Sequence, residues 1–169
     1  EKHTIQKLSP YGITVDAHDQ VWFTQSSNNR LGHFDPQTGT IRYFTAPQTN
    51  ITLMEIASTR NGQIWMTSFM GNLILHFNPL TSQFSSYQAS SSGGETGGIY
   101  GLTLDANGTP WLALSTENTI AKLDPQSGKF SYYEIPTPES IPLGIVENQQ
   151  AGTLWFTESQ GNKIGMLKP

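Results

Sequence analysis

The chain has no cysteine, few charges and no long apolar run. Without cysteine there are no disulfides and no thiolate chemistry, although this absence identifies no compartment. Charged residues make up 13% of the 169, about half the usual ~25%. Only nine are Lys or Arg, the net charge is −4, and the basic residues do not cluster. Nucleic acid and anionic membrane surfaces are both held by basic patches, so neither is expected as a partner. No stretch approaches the ~18 apolar residues of a membrane-spanning helix. The first residue is Glu1 and no leader pattern follows it; a leader cleaved ahead of Glu1 would leave this same sequence. Hydrophobic residues are also sparse, at 36% against the usual ~45–50%. The surface must therefore be built largely from Ser, Thr, Asn and Gln, a composition that points toward an exported bacterial protein.

What the chain does have is a repeat. Trp22, Trp65, Trp111 and Trp155 follow one another at intervals of 43, 46 and 44 residues. A period in the forties, carried by short strand-like segments, is the mark of propeller blades. The register is dense. Seven residues after each Trp stands Asn29, Asn72, Asn118 or Asn162, and nine after stands Leu31, Ile74, Ile120 or Ile164. Twelve after comes Phe34, Phe77, Leu123 or Leu167, and fourteen after comes a proline. Upstream, a short apolar segment begins at Tyr11, Met54, Tyr100 and Leu143. The expected fold is all-β: a propeller of four repeats, each a four-stranded antiparallel blade, over about 11–47, 54–88, 100–136, and 143–169 plus 4–10.

In the first repeat the strands are expected at Gly12–Asp16, Gln20–Gln25, Arg30–Phe34 and Thr40–Thr45. Asn61-Gly62 and Asn107-Gly108 supply the positive φ of tight hairpins. Asp35-Pro36-Gln37-Thr38-Gly39 and Asp124-Pro125-Gln126-Ser127-Gly128 supply Pro and Gly in turn order. Asn78-Pro79-Leu80-Thr81-Ser82 is the same turn without the Gly, and is expected to be more strained. The apolar runs around the four Trp residues predict strands buried on both faces, with each Trp in the core between blades. Residues 89–98, rich in Ser and Gly, read as a surface connection. The fourth repeat stops after its third strand, while residues 4–10 resemble the fourth strand of the first repeat. The N-terminal strand is thus expected to complete the last blade, either within the chain or across two copies that form a larger ring. Completion by blades outside this chain is the third option.

Candidate chemistry is thin. His33 and His76 occupy equivalent places eleven residues after their Trp, but Lys122 and Met166 stand at the other two. A metal site needs three or four converging ligands, so both histidines read as structural. His18 lies in an Asp-rich turn that lacks the ligand spacing of a calcium loop. There is no Gly-rich phosphate loop and no nucleophile elbow. The repeated asparagines read as turn residues. The best surface is one mouth of the axis. Tyr11, Met54, Tyr100 and Leu143 are expected to line it, Glu55 and Glu147 to lie near, and Gln25, Ser68, Leu114 and Glu158 to lie beside it. Aromatic bodies with polar tips suit a small amphipathic or sugar-like ligand.

Trp155-Phe156-Thr157-Glu158 followed by Asn162-Lys163-Ile164-Gly165, with the earlier Leu143-Gly144-Ile145, resembles the blade of the streptogramin B lyase (virginiamycin B lyase) family. Trp22-Phe23-Thr24-Gln25, Asn29-Arg30-Leu31-Gly32 and Tyr11-Gly12-Ile13-Thr14 resemble it too, as does Tyr133-Glu134-Ile135-Pro136. The resemblance implies a propeller of about seven blades, an elimination that opens a macrocyclic ester, and Mg²⁺. It also implies a site at one mouth, with nearby glutamates, one of which Glu158 lies near in the register, and histidines immediately before the Gly-Ile of strand one. At those places this chain has Tyr11, Met54, Tyr100 and Leu143, none of which is a ready base for taking a proton α to a carbonyl. The expectation is a non-catalytic repeat module for binding a ligand or partner, or for self-assembly as a homodimer, with no cofactor. The alternative is an Mg²⁺-dependent lyase of the streptogramin B type.

Overall fold

The computed structural model describes residues 9–89 and 98–169. The alternation of apolar and polar positions, cut by Asn-Gly and Asp-Pro turns, produces four antiparallel meanders. Blade 1 comprises β1 (Pro10–Val15), β2 (Val21–Gln25), β3 (Arg30–Asp35) and β4 (Thr40–Thr45). Blade 2 comprises β5 (Leu53–Ser58), β6 (Ile64–Ser68), β7 (Leu73–Asn78) and β8 (Gln83–Gln88). Blade 3 comprises β9 (Ile99–Leu104), β10 (Pro110–Leu114), β11 (Thr119–Asp124) and β12 (Lys129–Glu134). Blade 4 has three strands among the described residues: β13 (Pro142–Asn148), β14 (Thr153–Glu158) and β15 (Lys163–Leu167). Strand order within each sheet follows the chain. The inner strands β1, β5, β9 and β13 stand side by side in that order, so successive blades stack around an axis. The expected pairing of residues 4–8 with the last blade falls outside the described residues, as does most of the 89–98 connection. Pro10 itself lies in β1, opposite Gln25.

The four matched asparagines are explained by backbone conformation. Asn29, Asn72, Asn118 and Asn162 all have φ between 48° and 51°, the left-handed region that Asn tolerates better than most residues. Each chain reversal then points a carbonyl at the exit of the blade: Asn29, Asn72 and Asn118 accept from the amides of Ala46, Ala89 and Ile135 at 2.8–3.0 Å. The Asn118 side chain adds four more bonds. Its amide donates to the carbonyls of Ile135 and Thr137, and its oxygen accepts from the amide and hydroxyl of Ser140. This residue type is therefore fixed by the link between blades. In the turn that lacks glycine, Ser82 takes φ 55°, which is the strain expected there.

The core lies between blades in three parts. Trp22, Leu31 and Phe44 pack on Ile56, Ile64, Met66 and Phe77 of blade 2. Trp65, Ile74 and Tyr87 pack on Leu112, Leu114, Ala121 and Leu123 of blade 3. Trp111, Ile120 and Tyr133 pack on Leu154, Phe156 and Leu167 of blade 4. In blades 1, 2 and 3 the residue opposite the Trp on the third strand covers its ring. His33 stacks on Trp22 at 4.3 Å, His76 sits 4.6 Å from Trp65, and the Lys122 ammonium lies 5.1 Å from Trp111. Both histidines also hydrogen-bond a glutamine side-chain oxygen through Nε2, at 2.9 Å. Burial pushes both imidazoles below their ordinary pKa, consistent with neutral rings used for packing.

Two expectations about the core are corrected at the ends. Strands β6 and β10 are buried along their whole length, but β2 and β14 are not. Trp155 is 41% exposed and is not a core residue. The reason is positional: among the described residues, blades 2 and 3 have a neighbour on both sides, whereas blades 1 and 4 have one each.

Candidate functional site

The inner strands carry the candidate mouth, and their approach is set by a repeated side-chain device. In blade 1, the Thr24 hydroxyl accepts from Gly12 N at 2.9 Å and donates to Met54 O of blade 2 at 2.7 Å. In blade 2, Thr67 accepts from Glu55 N at 3.2 Å and donates to Tyr100 O of blade 3 at 3.2 Å. One hydroxyl thus ties two inner strands together. Blade 3 has Ala113 in this place. There Gly101 lets the backbones close directly, since a Cβ on it would lie 2.2 Å from Leu143 O.

On this frame the structure brings Tyr11 and Tyr100 together across the axis. Their hydroxyls share a hydrogen bond of 2.6 Å, between blades 1 and 3. Glu55 of blade 2 stands beside them. It occupies the place held by Gly12, Gly101 and Gly144 in the other blades, so its side chain is an addition at the axis. Burial raises the Glu55 carboxyl above its ordinary pKa. Tyr11 is pushed up to about 12, first by the hydrogen bond to Tyr100, then by burial and the nearby charges of Tyr100 and Glu55. Tyr100 and Glu55, with Leu143, Gly144 and Ile145, line a cavity of about 190 Å³. Tyr100→Phe removes the principal cause, so the Tyr11 phenol is expected to ionise closer to its ordinary value of 10.0. An ultraviolet titration compared with Tyr11→Phe reads this directly; an unchanged Tyr11 transition would show that the pair does not persist in solution.

The other expected residues are placed differently. Met54 is half-buried and contributes its carbonyl to Thr24. Gln25, Ser68, Leu114 and Glu158 are all buried, opposite Pro10, Leu53, Ile99 and Pro142 on the inner strands. The Ser68 hydroxyl is occupied locally, donating to Met70 O and accepting from Thr52 N. Gln25 Oε1 and Glu158 Oε2 are buried with no hydrogen-bond partner. Glu147 does not belong to the mouth. It lies three residues beyond Gly144 on β13, roughly 10 Å further along at a strand's rise, and its carboxylate accepts from Ala106 N. Among the described residues no three His, Asp or Glu side chains converge as metal ligands.

A larger cleft of about 450 Å³ lies between blades 2 and 3, lined by Arg60, Gln63, His76, Asp105 and Asn107 among others. Sequence reasoning gave no sign of it, because its lining comes from turns of different blades. Its carboxylate is engaged in structure: Asp105 accepts from the amides of Asn107 and Thr109 and from the Trp111 indole. Asp16 does the same for His18, Gln20 and Trp22. These bonds hold the Asp16 carboxyl below its ordinary pKa despite the opposing effect of burial, and they account for His18 as a turn residue.

The sequence profile of the virginiamycin B lyase family matches residues 2–169. A virginiamycin B lyase from Bacillus licheniformis is 49% identical over 39 residues, 23% of this chain and 13% of that protein. A streptogramin B lyase structure superposes with a TM-score of 0.87 at 31% identity, covering 98% of this chain and 53% of the other. The structure of a catalytically inactive histidine-to-alanine variant of virginiamycin B lyase from Staphylococcus aureus, with quinupristin, superposes with a TM-score of 0.83 at 27% identity. That match covers 94% of this chain and 52% of the other. The chain therefore spans about half the length of the lyases whose structures it matches.

Proposed function

The chain belongs to the virginiamycin B lyase family, and from that premise we propose that it is a non-catalytic propeller module that binds a small amphipathic ligand at one mouth of its axis. The observation that carries this reading is the Tyr11–Tyr100 pair with Glu55 beside it. It offers aromatic surface, two hydroxyls and one carboxylate at the end of the axis. Histidine is missing at each place where the resemblance implies it, and the relative crystallised with quinupristin is inactive once a histidine is replaced by alanine. Elimination needs a positioned base, and two tyrosines locked to each other supply binding surface instead.

Quinupristin is the natural probe. Calorimetry is expected to show binding with a Kd of roughly 10 μM to 1 mM, weakened at least tenfold in Tyr100→Ala. Mass spectrometry is expected to return the antibiotic intact, with or without Mg²⁺. Absence of binding at millimolar ligand overturns the reading. A ring-opened product that depends on Mg²⁺ would establish the lyase alternative. One observation favours that second reading: Glu55, its carboxyl raised by burial, is the group at the mouth able to take the proton α to a carbonyl. Loss of turnover in Glu55→Gln would identify it as that base.

A further inference from the structure

Blade 2 departs from its neighbours six residues before its tryptophan: blades 1 and 3 have Asp16 and Asp105 there, and blade 2 has Thr59. Each aspartate uses both oxygens. One accepts from two amides of the turn that follows. The other accepts from the indole of Trp22 or Trp111, at 2.8 and 3.3 Å. The Thr59 hydroxyl keeps part of the first role, accepting from Gln63 N at 2.9 Å, but it has no second oxygen for the indole. The Trp65 ring is placed like the others. His76 lies against it as His33 does on Trp22, and Tyr87 lies 6.0 Å away where Phe44 lies 6.1 Å from Trp22. Among the described residues no group accepts from the Trp65 indole N–H. Nor is that nitrogen enclosed in the core, so it opens on the cleft between blades 2 and 3, which Trp65 and Thr59 both line.

Charge changes in the same direction. The residue five before each tryptophan is Ala17, Arg60, Ala106 or Gln150. Blade 2 has therefore lost a carboxylate and gained a cation at consecutive positions. Arg60 also lines the cleft, and among the described residues its guanidinium forms no ion pair and no hydrogen bond. Asp105, on the facing wall, is already held by groups of blade 3. The cleft is bounded by residues between 58 and 149, and blades 2 and 3 are each packed on both sides.

We propose that this cleft binds a small organic carboxylate, one oxygen accepting from Trp65 Nε1 in the place of the absent aspartate and the anion pairing with Arg60. A carboxylate is what the same indole position meets in blades 1 and 3. The indole is a donor only, and a guanidinium matches a planar carboxylate with two parallel hydrogen bonds. The cavity of about 450 Å³ exceeds what an acid group fills, and Tyr87, Leu104 and Pro125 add apolar surface to it. The ligand therefore carries a ring or short carbon chain behind its carboxylate. The turn bearing Thr59 and Arg60 follows β5, whose first residues face the mouth, so this site lies at the other end of the blades and does not rest on the ligand reading there.

Benzoate is the probe, and nuclear magnetic resonance of the indole N–H groups is the readout. Tryptophan-to-phenylalanine variants assign the four indole signals. Benzoate is expected to shift the Trp65 signal saturably and to leave the other three in place, whereas benzamide, its neutral analogue, shifts none. Arg60→Gln is expected to weaken benzoate roughly tenfold or more, the usual effect of losing a charge-assisted hydrogen bond. Thr59→Asp restores the side chain of blades 1 and 3. It is expected to preserve the circular dichroism spectrum, to move the Trp65 signal without any ligand, and to abolish the benzoate response. An unmoved Trp65 signal at the solubility limit of benzoate overturns the proposal, as does an equal response to benzamide or to chloride. A benzoate response that survives in a folded Thr59→Asp variant overturns it too, by showing that the ligand does not take the aspartate's place.

Discussion

Trp65→Ala is expected to lower the unfolding free energy by ~3–5 kcal/mol, the usual loss for a large aromatic removed from a core. Trp155→Ala is expected to lower it by less than about 1 kcal/mol. The two residues hold the same place in the repeat, so intrinsic propensity and local sequence cannot separate them. Surroundings do. Trp65 is 4% exposed and its ring lies between His76 and Tyr87, against the leucines of blade 3. Removing it opens a cavity that rigid strands on both sides cannot collapse to fill. Trp155 already has two-fifths of its surface in water, so little transfer free energy is lost and no closed cavity forms. Urea unfolding of both variants reads the difference. Equal large losses would mean that the blade 4 face is covered within the monomer.

That contrast also marks where the sequence stops being informative. The Trp period locates strands to within a residue or two, because turn residues with special φ requirements bracket them: the four asparagines sit at left-handed φ. The mouth was legible in part. The Tyr-Gly-Ile and Tyr-Gly-Leu segments nominated Tyr11 and Tyr100, and Glu55 was expected only to lie near them. Their meeting was not legible, since a hydrogen bond between blades 1 and 3 depends on the curvature of the whole arc. Glu147 was misplaced for a related reason: two carboxylates close in the repeat lie at different depths along their strands. The exposure of Trp155 could not be read at all, because a repeat pattern describes every blade as if it had two neighbours.

Gly101→Ala is expected to be a severely damaging single methyl. Its Cβ would sit 2.2 Å from Leu143 O, 3.0 Å from Ile145 Cγ2 and 3.3 Å from Ala113 Cβ. The first contact is with backbone of the neighbouring inner strand, which no rotamer change relieves. The β9 and β13 strands must separate, and the separation spreads into the packing of Trp111 and Ile120 on blade 4. Overpacking of this kind costs about 3 kcal/mol at its upper end, or a fall in Tm of roughly 6–12 °C for a chain of this size. Gly144→Ala is the matched control: the same segment, the same change, and ordinary van der Waals distances around the new methyl. Its Tm is expected to stay within about 2 °C of wild type, since such surface changes stay within ~0.5 kcal/mol. Differential scanning calorimetry of the pair separates two origins for these inner-strand glycines. If both variants lose stability alike, glycine is needed for the backbone of each strand. If only Gly101→Ala does, glycine is needed there because the carbonyl of the next blade presses against it.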